Sequence, residues 1–199
     1  PQGKTYAQLM QDAVQTGVPV PRKIRLQIFM QVCAAVAYSH KSNFAMRTLR
    51  PDLMMVSLDH GMASCHYLDY CALRPESLRS TKVQLGCRMA FSDPSVRAGA
   101  AVSRSMDSYA AAMMVVYAYA FTDVLDEFKQ QQYVWLKEAQ RPVADQVPDA
   151  LAHYSGRLKI DADVAELIVA MTRPDEKRMS CADAAKAFFE LLQSDSKHE

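Results

Sequence analysis

The sequence predicts a mainly α-helical domain packed around one buried central helix, with a short β-hairpin between two of its helices. Three observations carry this. Residues 22–40 place Ile24, Ile28, Val32 and Val36 at three-to-four spacing, the period of an amphipathic helix. Residues 107–122 are apolar on every face (Ala110, Met113, Met114, Val115, Val116, Tyr117, Phe121), as expected of a helix surrounded by other helices. Met54–Leu58 and Ser64–Leu68 read as strands joined by Asp59-His60-Gly61, where glycine supplies the backbone angle a tight turn needs.

The remaining elements follow in order. Residues 6–15 read as a short helix ended by the Gly17-Val-Pro-Val-Pro21 break, and Asn43 marks a turn after the long helix. From Arg74 to Ala101 no period is sustained, and Pro75, Gly86, Pro94 and Gly99 fall there, so this stretch reads as a long loop. Ser105 and Asp107 are suitable N-caps for the central helix. Helices are expected at about 124–140 and 161–172, and a last one from near Ser180 to Leu192. Ser180-x-x-Asp183 there resembles a capping box with Asp in place of Glu. Residues 193–199 form a polar tail, and residues 1–199 read as one domain without internal repeats.

Charge and cysteine content narrow the function. Lysine plus arginine (23) nearly cancels aspartate plus glutamate (22), which gives no electrostatic case for nucleic acid or an anionic membrane. The longest apolar run, Tyr109 to Phe121, is shorter than the roughly 20 residues that span a bilayer. The five cysteines (Cys33, Cys65, Cys71, Cys87, Cys181) form no C-x-x-C pair. Cys65 and His66 are adjacent, and neighbours on a strand point to opposite faces, so buried or idle thiols are expected rather than a metal site. Free thiols favour a reducing compartment, and the sequence does not otherwise name one. The opening Pro1-Gln2-Gly3-Lys4, without methionine or signal-peptide pattern, reads as the start of a segment taken from something longer.

A set of motifs in fixed order adds a resemblance. Met46-Arg47-Thr48-Leu49-Arg50-Pro51-Asp52-Leu53 aligns without a gap on the pattern H-R-D-L-x-x-x-N, and Leu68-Asp69-Tyr70-Cys71 follows where D-F-G would stand. Ser92-Asp93-Pro94-Ser95-Val96 looks like A-P-E with serine in place of glutamate. Ser105-Met106-Asp107-Ser108-Tyr109 is similar to the start of a central helix whose aspartate anchors the catalytic loop, and Arg173-Pro-Asp-Glu-Lys-Arg178-Met-Ser180 is similar to D-P-x-x-R-P-S. Over residues 6–192 the chain thus resembles the C-terminal lobe of a protein kinase. The resemblance implies a helical bundle about a buried helix, with the N-terminal lobe absent.

The departures imply lost chemistry. Phosphoryl transfer needs a carboxylate at the place held by Thr48 and oxygen ligands for magnesium at the places held by Leu53 and Asp69. Only Asp69 is retained, and a structural role is expected for it. Met46 lacks the ring nitrogen of the usual histidine, Cys71 replaces a permissive glycine, and Arg50 keeps a positive charge near the site. Two readings stay open for Arg47: it binds a phosphate added at Ser77, Ser80 or Thr81, or it holds the loop by hydrogen bonds to carbonyls. Ser95 removes the usual buried partner of Arg178. An unpaired buried arginine costs about 3–5 kcal/mol, so either Arg178 is more exposed or it uses another acid, for which Asp93 is the expected substitute. Met54, Met55, Met113 and Met114 are expected to pack in the core.

The resemblance therefore implies a catalytically inactive pseudokinase lobe without a cofactor, used as a protein-binding scaffold or allosteric module. Its implied partner is a protein, such as an active kinase or signalling protein, with neither nucleic acid nor membrane insertion. Tyr133, Trp135 and Tyr154 are the candidate contact residues, with packing of the lobe as the alternative role for Trp135. Two other readings are an atypical kinase-like transferase active only with its missing N-terminal lobe, and a stable fragment with no separate role.

Overall fold

The computed structural model describes residues 3–47, 49–68, 74–75, 91, 93, 103–119, 160–173 and 177–197. They form five α-helices, α1 (Tyr6–Thr16), α2 (Arg22–Lys41), α3 (Arg104–Tyr119), α4 (Ala162–Thr172) and α5 (Cys181–Asp195). Five strands join them: β1 (Lys4–Thr5), β2 (Phe44–Ala45), β3 (Met54–Asp59), β4 (Met62–Tyr67) and β5 (Arg74–Pro75). The chain is thus mainly helical with a three-stranded antiparallel sheet, ordered β1-β3-β4, and a two-stranded pairing of β2 with β5.

Local chemistry sets the helix ends. Thr5 caps α1 through a reciprocal box: its hydroxyl accepts the Gln8 N–H at 3.1 Å, and the Gln8 side chain accepts the Thr5 N–H at 2.9 Å. Gly17 closes α1 at φ 68°, in the left-handed region that favours glycine. Pro21 precedes the first turn of α2, and Asn43 at φ 60° follows its last. Ser180 caps α5 by accepting the Asp183 N–H at 3.1 Å. The capping box expected there is only half formed, because the Asp183 carboxylate accepts the Ser180 hydroxyl (2.6 Å).

The hairpin register pairs Met54 with Tyr67 through Asp59 with Met62. Its turn is His60-Gly61, both at positive φ (47° and 76°), the two-residue geometry whose twist matches the flanking strands. The second strand therefore starts at Met62 rather than Ser64. The open edge of β4 is closed by α2. Gln27 Oε1 accepts the Ala63 N–H (2.7 Å), Gln31 Oε1 accepts the Cys65 N–H (2.9 Å), and Gln31 Nε2 donates to the Ala63 carbonyl (2.7 Å). Two amides one helical turn apart thus replace a neighbouring strand.

Helix α3 is the centre of the core, with thirteen of its sixteen residues buried, which is why its sequence has no polar face. It begins at Arg104, so Ser105 and Asp107 lie in its first turn rather than at the cap. Asp107 is drawn inward by the contacts described below. Met54, Met113 and Met114 are buried in the core. Phe29 of α2 lies 5.6 Å from Phe188 of α5 and 6.1 Å from Tyr119 of α3, ring centroid to centroid, in tilted contacts. The Tyr6 hydroxyl donates to the Met114 carbonyl at 3.0 Å, and burial pushes its pKa up. Three short strands, β1, β2 and β5, were not foreseen, since two residues carry no period. The helix expected at 124–140 lies outside the described residues. Among the described residues, no helix is long and apolar enough to cross a membrane.

Arg22 ties three helix ends together. Its guanidinium meets Asp161 (2.7 Å) and Asp163 (2.7 Å) at the start of α4 and Asp195 (2.8 Å) at the end of α5. Tyr119 donates its hydroxyl to Asp161 (2.8 Å), and the Arg25 guanidinium lies 4.2 Å from the Tyr119 ring centroid. Burial opposes ionisation of Asp163, but its bonds from Arg22 and the Val164 N–H outweigh that and hold its carboxyl below the usual carboxylate range.

Two predictions follow from this packing. Gln27→Leu, although more apolar, should lower stability by about 1–3 kcal/mol by leaving the Ala63 N–H unpaired, read as a fall in the urea midpoint. An unchanged midpoint would refute the surrogate-strand role. A carboxyl with a depressed folded pKa contributes stability above its unfolded pKa, and that contribution is lost as pH falls through the folded value. Asp163→Asn should therefore be less stable than wild type at neutral pH, and the gap should close on acidification below the normal carboxylate range. A gap that stays constant down to the acid limit would contradict this.

Candidate functional site

The described residues between α2 and β3, with His40 in the last turn of α2, bond to the first turn of α3. Their anchor is Asp107, whose side chain is 2% exposed. Oδ2 accepts the Met46 backbone N–H at 2.7 Å, and Oδ1 accepts the Arg47 N–H at 2.8 Å. His40 Nε2 lies 2.9 Å from Oδ2 and donates in the tautomer protonated there. Arg47 holds φ at 67°, a left-handed conformation that costs a residue with a Cβ about 1–2 kcal/mol. The bond to Asp107 offsets that strain. Arg104 adds a second clamp by donating to the His40 carbonyl at 2.9 Å.

Each residue singled out from the sequence can now be placed. Met46 is 4% exposed and its side chain joins the apolar core. Arg47 is partly buried beside the anchor. Leu53 ends the 3-10 turn Pro51–Leu53, half-buried, and its carbonyl accepts the Leu68 N–H at 2.8 Å. That bond brings position 53 next to the end of the hairpin. Arg50 sends Nε to Asp52 Oδ1 (3.0 Å) and Nη2 to the other carboxylate oxygen, so much of its fork is engaged by its own loop. Thr48, Asp69, Cys71, Ser77, Ser80, Thr81, Ser95, Tyr133, Trp135 and Tyr154 lie outside the described residues.

Arg178 and Asp93 form the ion pair expected between them, with side chains 3% and 0% exposed. Arg178 Nη1 also donates to the Ser105 carbonyl (3.0 Å), and Nε to the Arg173 carbonyl (2.8 Å). The guanidinium carbon stands 5.8 Å from the Tyr109 ring centroid. This gives a buried charge both a counterion and further acceptors, the condition for retaining it.

Cys65 turns toward the core and its thiol is pushed up to about 12 by burial, while His66 on the opposite face is exposed. Among the described residues, no cluster of three or more His, Cys, Asp or Glu side chains could hold a metal ion. His40 went unrecognised in the sequence. Its one signal is position: a histidine in the last turn of α2, six residues before Met46.

Removing the anchor should be costly. Asp107→Ala leaves two backbone N–H groups without their acceptor, at roughly 1–3 kcal/mol each. The melting temperature should fall by about 4 °C or more. Loss of less than a degree would show that water or another side chain satisfies the loop. For the second pair, a double-mutant cycle of Asp93→Ala and Arg178→Met should return a coupling energy above about 1 kcal/mol, with Asp93→Ala alone the most destabilised. Simple additivity would deny the pair any joint role. No protein-family model matches the chain, and no curated protein is significantly similar to it.

Proposed function

We propose that this chain is the C-terminal lobe of a protein-kinase-like fold that has lost phosphoryl-transfer chemistry and serves as a protein-binding scaffold or allosteric module. The observation that carries the reading is the stretch after α2, held at Met46 and Arg47 to the first turn of a buried central helix by Asp107. The buried Arg178–Asp93 pair before the final helix supports it. Support for lost chemistry comes from residue type. Leu53 offers magnesium no oxygen from its side chain, and Thr48 offers a hydroxyl in place of a carboxylate. Arg50 is engaged by Asp52, which weakens the remaining case for a phosphate-directed cation.

The protein carrying this lobe, in its full length, should show no rise in melting temperature with ATP and magnesium or manganese, and no labelled product over a panel of substrates. A nucleotide-dependent rise would favour the atypical transferase instead, and phosphoryl transfer would overturn the proposal. The scaffold half has its own test. Alanine at Tyr133, Trp135 and Tyr154 should weaken capture of a partner protein at least tenfold with circular dichroism unchanged. Unaltered capture removes those residues from the contact surface.

A further inference from the structure

We draw no further inference here: the strongest candidate, the pair of fully buried thiols Cys33 on α2 and Cys181 at the start of α5, carries nothing because both residues are sealed from solvent and the neighbouring Cys181 thiol, together with burial, holds the Cys33 thiol in its protonated, unreactive form.

Discussion

A carboxylate inside an apolar helix is the constraint on which the loop depends. Asp107 is the one acidic residue of α3, and its side chain is almost fully buried. Such a group is expensive to keep away from water unless donors surround it. The loop after α2 supplies them: two consecutive backbone N–H groups and a histidine ring. A turn through a left-handed residue is one backbone form that aims consecutive N–H groups at one carboxylate. The left-handed Arg47 therefore belongs to the same arrangement as the buried acid. Neither is stable in that form alone.

The first turn of α3 gathers more than this anchor. Arg104 holds the end of α2 through the His40 carbonyl, and the Ser105 carbonyl accepts from Arg178, which in turn is paired with Asp93. Three residues of this first turn, Arg104, Ser105 and Asp107, thus bond directly to the end of α2, to the segment before α5 and to the stretch after α2. The rest of α3 packs mainly through apolar side chains, with polar contacts at Ser108, the Met114 carbonyl and Tyr119. The directional bonds of the first turn fix the loop, the end of α2 and the segment before α5 against the helix, while Tyr119 fixes its other end to Asp161.

Much of the fold was legible, for reasons tied to period and length. Helices α1, α2, α4 and α5 were placed to within three residues at each end, because each repeats its apolar side chains or is bounded by a cap, a proline or a glycine. The hairpin was visible through Gly61, although its second strand was begun two residues late. The alternation Met62-Ala63-Ser64-Cys65 is exposed on every other residue and hard to separate from a turn. The Arg178–Asp93 pair was legible because a buried charge demands a counterion. The Gln27–Gln31 clamp was not: glutamine in a helix ordinarily marks a solvated face, and only the adjacent strand edge reveals that these two replace a partner strand. His40 was missed on similar grounds, since its role depends on a carboxylate 67 residues away.

The polar groups that remain near the loop bear on the proposed reading through their occupancy. Catalysis by a carboxylate, an imidazole or a guanidinium needs a lone pair, proton or charge that can be turned to a substrate. Asp107 spends both oxygens on the backbone and on His40, and Arg50 closes on Asp52. Arg178 is consumed by Asp93 and two carbonyls. Each of these bonds fixes local geometry and, by the same act, engages the group that makes it. A loop bonded in this way is fixed by the chain's own groups. Such internal fixing suits the proposed role of presenting a fixed surface to another protein.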